Sequence, residues 1–408
     1  MRALIRLTLV SCVALAQIAP SRAQEKAAPP KFTAGTELVR VDFVVSDKAG
    51  RVVPGVTAKD CIVKEDGKER PIVSFEAFTG AGAAAGVTPD DPSGNATAAS
   101  GAARVIKSST VLLIDDVHLS PEQLAIVRPA LKKLLAGVAD RSGLLALVAP
   151  ASNVTIAGEL PGTAAQLAAG VDGIAGQRLD DNSSFPVLDA EAFAINRGDL
   201  QVLARVVARF VLLNPTLTAD QADMQAHSRS TDVEFTARTR RETLLATAMQ
   251  ALNWLADKPG RHSLIMVSGG YARDLLDSQQ AALVTRSLQV NAPIHFLDAR
   301  GLSGFGMFHG AQYGVALGRN ADEGPYGRDE AVEGSSYLAD DTGGTVVHNT
   351  NDLEKGLAGM LDAMQTYYVI GYEAPAHAKR GFHKIEVQVR TKGLNVRARR
   401  GYYDVSGR

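Results

Sequence analysis

Cysteine is nearly absent from this 408-residue chain: there are two, Cys12 and Cys61. Cys12 lies in a stretch read below as a removable leader, and a lone Cys61 can form no internal disulfide. The fold must then rest on its apolar core, and at 46% hydrophobic the chain has enough to build one. Cys61 sits in an alternating strand pattern and reads as a small buried hydrophobe. An excess of one charge is also missing, with 43 Lys and Arg against 44 Asp and Glu. Electrostatics therefore predict neither nucleic-acid nor membrane-surface binding. The eight histidines show no His-x-x-x-His spacing, which leaves a zinc enzyme unsupported. The Gly-rich stretch 301–318 has no phosphate-loop or dinucleotide pattern, and Ser268-Gly269-Gly270 lacks the Gly-x-Ser-x-Gly of a nucleophile elbow. Beyond the N-terminus no stretch is long and apolar enough to cross a bilayer.

At the N-terminus, Arg2 and Arg6 precede an apolar run from Leu7 to Ala19, then Ser21-Arg22-Ala23. That is the pattern of a secretory signal over residues 1–23, cut after Ala23, with the rest exported to the periplasm or secreted. The alternative, an uncleaved anchor, meets a run short of the ~20 residues a span needs. Leu9-Val10-Ser11-Cys12 resembles a lipoprotein box, but the apolar run continues past it. Residues 24–34 are a polar, Pro-rich leader tail. Residues 35–79 alternate with period two, as in Leu38–Val45, and Asp66-Gly67 marks a hairpin, so a small β module is expected. Residues 80–107, rich in Ala, Gly and Ser, read as a flexible linker. The chain then changes character over 108–365, and returns to period two over 366–404. Each β-rich end has too few strands to stand alone, so the two are expected to meet in one β-sandwich.

The middle is organised around Val111–Ser120, VLLIDDVHLS. Four apolar residues run into Asp115 and Asp116, and Ser120, Pro121 and Gln123 then supply the cap, first position and capping box of a helix. Such a strand predicts a parallel sheet covered by helices on both faces, with ligands at the carboxyl ends of its strands. The following helix, 120–136, puts Leu124, Val127, Leu131, Leu134 and Leu135 on one face, with Pro129 inside it. Further strands are expected at Leu144–Val148, Asn153–Ile156, His262–Val267 and Ile294–Leu297, the last ending at Asp298. Helices are expected at 163–174, 200–213, 240–256, 278–290, 334–341 and from Asn351 to Gln365. In 200–213, Arg205 and Arg209 fall on the polar side. Residues 175–198 are turn-rich, 214–235 read as loop, and 300–330 read as a mobile surface loop. Arg397, Arg399 and Arg400 read as a solvated face, and Tyr367, Tyr368 and Tyr372 as core.

The strand–Asp-turn–helix, with SLIMVSGG and PIHFLDARGL after it, resembles the von Willebrand factor A (VWA) fold, a Rossmann-like α/β architecture. LVRVDFVVSDKAGRVVPGVTAKDCIVKEDGKERPIVSF, Asp341-Thr342-Gly343-Gly344, YYVIGYEAP and VRARRGYY extend the likeness to bacterial VWFA-related proteins of the acidobacterial type, over nearly all of 35–404. The resemblance implies a divalent cation held by an Asp-x-Ser-x-Ser turn, a Thr and a second Asp, completed by a partner's carboxylate. Asp115 keeps the first position, and Thr243 falls at the threonine. Val117 and Leu119 occupy the serine positions, and Gly269 stands for the second acid. The expectation is a degenerate site needing no cofactor, with weak Mg²⁺ or Ca²⁺ binding through Asp116 and Ser120 as the alternative. On this reading the chain is an exported, non-enzymatic interaction or adhesion protein. It meets an unidentified protein partner through Asp115, Asp116, His118, Ser120, Thr243 and Ser268. A blander alternative has the two carboxylates capping the helix or bonding neighbouring loops, with His118 structural. A secreted hydrolase using Asp115, Asp116 and His118 has only their proximity in its favour.

Overall fold

The structure, a computed structural model, describes residues 37–78, 85–87, 108–137, 143–179, 183–271, 278–300, 328–348, 350–374 and 381–404. The expected leader, most of the linker and nearly all of the 300–330 loop lie outside these residues. In chain order the first strands are β1 (Glu37–Ser46), β2 (Cys61–Glu65), β3 (Lys68–Arg70), β4 (Ile72–Phe78) and β5 (Ala85–Val87). The middle holds β6 (Ser108–Ile114), α1 (Pro121–Gly137), β7 (Gly143–Ala149), β8 (Val154–Leu160), α2 (Ala164–Asp172), α3 (Asp189–Asn196) and α4 (Leu200–Leu213). It continues with α5 (Ala219–Ala256), β9 (Arg261–Ser268), α6 (Ser278–Val290), β10 (Ile294–Asp298), α7 (Arg328–Thr342), β11 (Val346–Val347) and α8 (Leu353–Gln365). The last strands are β12 (Tyr367–Ala374), β13 (Gly381–Val389), β14 (Asn395–Ala398) and β15 (Gly401–Asp404). Among the described residues no helix is long and apolar enough to cross a membrane.

The unbroken apolar run of β6 is explained by its place in the central sheet. A six-stranded sheet runs in the order β11-β10-β9-β6-β7-β8, with only β8 antiparallel to its neighbour. With β9 on one side and β7 on the other, β6 has no face turned to water. Leu112 and Ile114 pack with α1, α2 and α8, while Val111 and Leu113 pack on the other face with α5, α6 and α7. The fold is therefore a mixed α/β, Rossmann-like layer with helices on both faces of a mostly parallel sheet. α1 starts on the reciprocal cap expected of it: Gln123 N donates to Ser120 Oγ (3.2 Å) and Ser120 N to Gln123 Oε1 (3.0 Å). Leu124, Val127, Leu131, Leu134 and Leu135 are buried. At α8 the cap is Asp352, which accepts from Lys355 N at 3.0 Å, rather than Asn351.

Of the stretch 214–235, expected as loop, residues 214–218 are turn, but 219–235 are instead helix, the first half of the 38-residue α5. Its cap is a second reciprocal pair, Gln221 N to Thr218 Oγ1 (3.2 Å) and Thr218 N to Gln221 Oε1 (3.0 Å). The half-helix shows no apolar stripe because it buries small residues, Ala222, Ala226 and Ser230. Against it pack α3, in the stretch whose sequence is turn-rich, and α4, sharing a core of Val187, Ile195, Val202, Val206 and Phe210. Arg209, expected on the polar side of α4, is buried and grips Glu191 through two hydrogen bonds of 3.0 and 2.6 Å. At 1.5 Å per residue α5 is about 57 Å long. Its second half packs on the sheet through Leu244, Leu245, Ala248, Leu252 and Leu255 and leads straight into the foot of β9. The first half thus carries α3 and α4 past the carboxyl edge of the sheet, as an arm.

The two chain ends pair strand by strand. One sheet runs β14-β1-β12-β4-β5 and the other β15-β13-β2-β3, and β1 lies antiparallel to β12 with Val41 opposite Ile370. Val41, Phe43, Phe75, Tyr368 and Tyr372 from the first sheet share an apolar cluster with Cys61, Val63, Ile385 and Val387 from the second. Asp66 and Gly67 both have positive φ, as a two-residue hairpin between β2 and β3 requires. The buried Glu65 carboxylate accepts from Arg70 and from the hydroxyls of Tyr372 (3.2 Å) and Tyr402 (2.7 Å), so one carboxylate joins both sheets. Burial raises the Cys61 thiol to about 12, with the Asp60 charge adding to it, which makes it inert.

Arg397 and Arg400 stay exposed, as expected of a solvated face, while Arg399 is part-buried, and all three also reach across to other elements. Arg399 donates to Leu288 O (3.3 Å) and Arg40 O (2.7 Å), Arg397 to Thr345 Oγ1 (2.7 Å) and Arg400 to Asp341 (2.8 Å). They bolt the terminal sheets to the α/β layer, helped by Arg261 stacked 3.8 Å from the Tyr367 ring centre. Arginine suits such a joint because its fork reaches several carbonyls while its plane stacks on a ring.

His295 on β10 is buried, and its Nδ1 accepts from Thr345 N at 3.0 Å. Burial, then the Arg261 and Arg397 charges, push its pKa from 6.5 down to about 3. Between those values the unfolded chain binds a proton that the folded protein refuses. Stability therefore falls as pH drops below 6.5, by up to about 1.4 kcal/mol per pH unit from this residue. His295→Asn keeps an acceptor for Thr345 and removes the titration. Its urea-unfolding free energy should decline less steeply with acid than the wild type's, and parallel curves would refute this account.

Candidate functional site

The carboxyl edge of the sheet is built from the turn after β6, the end of β9 and the end of β10. Asp115 N still donates to Val267 O (2.9 Å), so the β6–β9 ladder runs one residue past the strand. The chain then turns over itself, with Leu119 N bonding Asp115 O at 3.2 Å. This turn brings His118 back onto the Asp115 carboxylate: His118 Nδ1 lies 3.0 and 2.9 Å from its two oxygens, and His118 N donates to Oδ1 at 3.2 Å. From β9, the Ser268 hydroxyl donates to Asp115 Oδ2 and accepts from Gly270 N at 2.9 Å. Asp115, His118 and Ser268 are at most 1% exposed.

Asp116 points the other way and is equally buried. Its two oxygens accept from Ala151 N (3.0 Å) and Ser152 N (2.6 Å) in the β7–β8 turn, and its carbonyl accepts from Gln177 N (2.7 Å). Gly176 lets this last segment close in. A Cβ there would lie 2.5 Å from the Ser120 carbonyl, so only glycine permits the approach. Asp115 therefore ties β6 to β9, and Asp116 ties β6 to the β7–β8 turn and to residues 175–178.

Of the strand-top side chains expected at a partner surface, Asp115, Asp116, His118 and Ser268 lie inside. They are spent on one another and on backbone amides, because carboxylates removed from water must be hydrogen-bonded. Ser120 is occupied by the α1 cap and by Glu122 Oε2 (2.8 Å). Thr243 is not brought to the cluster: it lies inside α5, and its hydroxyl donates back to Thr239 O at 2.9 Å. The alternative of carboxylates bonding neighbouring loops describes the geometry.

A divalent cation does not fit these residues. Both Asp115 oxygens already accept hydrogen bonds, and Val117 and Leu119 bring no side-chain oxygen, Leu119 being packed in the core. Gly269, at the position of the second acid, abuts the turn so closely that a Cβ would sit 2.6 Å from His118 O. Among the described residues no three His, Cys, Asp or Glu side chains are grouped as a metal centre needs. The contacts run Ser268–Asp115–His118, with the carboxylate rather than the imidazole against the hydroxyl, which is not the order of a Ser–His–Asp relay.

What sequence reasoning missed is an ion cluster on the same edge. Arg300 folds back on Asp298 through two hydrogen bonds, 2.9 and 3.0 Å, and the Asp-x-Arg spacing at the end of β10 was its only local sign. Arg240 of α5 grips Asp189 of α3 at 3.1 and 3.0 Å, and Arg178 approaches the same carboxylate at 3.7 Å. Nothing local to 175–198 announced these pairs, because they arise when the arm folds over the edge.

The class of protein defined here is a Rossmann-like α/β layer with a helical arm over its carboxyl edge. No protein-family model matches the chain, and no curated protein matches it. Among solved structures the chain is similar to the TFIIH p34 N-terminal domain, at 13% identity, over 63% of this chain and 97% of that one, with a TM-score of 0.25. At that score the likeness supports no functional inference.

Replacing Gly269 by Asp restores the missing acid in composition only. Gly269→Asp should lower stability by roughly 1–3 kcal/mol, since the Cβ must displace the His118 carbonyl. It should also gain no Mg²⁺-dependent shift in melting temperature at millimolar metal. A variant as stable as wild type, or one stabilised by Mg²⁺, would contradict this.

Proposed function

We propose that the chain is an exported, non-enzymatic protein-interaction module of the VWA type. On this reading its paired ends form a β-sandwich beside the α/β domain, and partner binding needs no cation. The contact surface moves from the strand-top acids to the arm above them. The observation that carries this is where the most exposed large apolar side chains lie. Among the described residues the four most exposed, Leu179 (79%), Leu200 (74%), Phe235 (73%) and Met224 (66%), belong with Leu212 to the arm or its base, while Ile126 on α1 and Leu38, Val73 and Phe382 on the terminal sheets are the others. Met224 and Phe235 are three turns apart on the same side of α5. Apolar surface gathered on one projecting element is what a partner-binding region presents. The closed Asp115 cluster supports the cation-free half, because its oxygens need no metal to satisfy them.

The test is capture of partners from a cell-envelope extract with wild type and with Met224→Ser/Phe235→Ser. Both residues are exposed, so the variant should melt with the wild type. Recovery of a discrete partner should fall roughly tenfold or more, the loss expected when exposed aromatic and Met anchors go. Equal recovery would place the contact elsewhere, and no specific partner at all would remove the reading.

A further inference from the structure

Three arginines meet at the carboxyl edge, and the carboxylates around them are unevenly shared. Arg300 has Asp298 on both its oxygens, and Arg240 holds both oxygens of Asp189. Asp115 is taken up by His118 and Ser268. Arg178 is left over. Its guanidinium makes no hydrogen bond among the described residues, and its one ion pair is the 3.7 Å approach to Asp189, already claimed by Arg240. The side chain is 21% exposed, open to solvent yet largely enclosed. Its backbone is fixed: Arg178 N donates to Leu119 O at 3.1 Å, and Gly176 presses the segment against Ser120. The backbone that carries the guanidinium is thus held at the rim of the sheet, and among the described residues its five donors have only the Asp189 carboxylate, shared with Arg240, to face. Beside them stands Leu179, 79% exposed.

We propose that Arg178 is the centre of an anion-binding site that takes an acidic side chain of a protein partner, with Leu179 receiving an apolar residue next to that acid. A guanidinium fork matches a carboxylate in two parallel hydrogen bonds, and partial enclosure strengthens such a pair over one in open water. Burial holds the Arg178 pKa below its ordinary value; Asp189 opposes this, while Arg240 and Arg300 add to it. An incoming carboxylate relieves that strain of like charges. The proposal rests on the interaction-module reading, and it names the chemistry the partner must bring.

The probes are two acetylated peptides, one with a single glutamate between leucines and the other with glutamine in its place, titrated calorimetrically against the full chain. Wild type should bind the glutamate peptide at least tenfold more tightly than the glutamine peptide. Arg178→Gln should abolish that preference, and Arg178→Lys should restore only part of it, because a point charge lacks the fork. Arg238→Gln, at an exposed arginine paired to Glu234, should leave it unchanged. Sodium sulfate at matched ionic strength should compete with the glutamate peptide. The site is wrong if wild type shows no preference, or if Arg178→Gln keeps it while melting like wild type. Because the peptides are defined, this result does not depend on capturing the natural partner. Loss of capture in the arm variant with no peptide preference would sink the Arg178 site and leave the interaction reading standing.

Discussion

The carboxylate of Asp115 is the constraint around which the α/β layer closes. It stands where the central strand ends, and a carboxylate buried at that point must find hydrogen-bond partners or hold the sheet open to water. It finds them on both sides: His118 from its own turn and Ser268 from the neighbouring strand. The consequence reaches beyond one hydrogen bond. With His118 folded inward, its carbonyl faces Gly269, and the chain there can carry no side chain. With Leu119 drawn into the core, the helix after it must begin at Ser120. The degenerate composition of this turn and its compact geometry are therefore one fact, since the residues lacking ligand atoms are the residues the packing needs.

Much of this was legible beforehand. The apolar run of Val111–Ile114 announced a strand buried on both faces, and the Ser120–Gln123 pair announced its helix, because each signal is local and strong. The pairing of the chain ends could be argued from strand count, and strands from the two ends do share both terminal sheets. The arm was not legible. Its long helix buries alanines and a serine against α3 and α4, so the apolar stripe that reveals most helices is missing, and only Thr218 with Gln221 marked where it starts. The same blindness applied to charge. Arg209, Arg397 and Arg399 look solvated in sequence, and only the tertiary fold shows that each reaches a carboxylate, a hydroxyl or a carbonyl in another element.

For the candidate site the division falls differently. The place was visible, since acids at the end of a central strand mark the edge where such sheets do their work. The role was not, because it depends on which way each side chain turns. Asp115 and Asp116 are adjacent in sequence yet serve opposite neighbours, one the β9 side and one the β7–β8 side. Arg178 illustrates the reverse case: an unremarkable residue in a turn-rich stretch becomes conspicuous only when the other ions of the edge have chosen their partners.

Continuity of α5 has a mechanical meaning. From Ala219 to Ala256 it contains neither proline nor glycine, the residues at which helices most readily bend. It is a single strut with its free end among the arm's solvent-facing apolar residues and its other end at the foot of β9. The first break after it is the Lys258-Pro259-Gly260 turn, with Gly260 at positive φ, beyond which Arg261 lies over Tyr367 of the terminal sheets. Arm and central layer are thereby joined by one continuous helix.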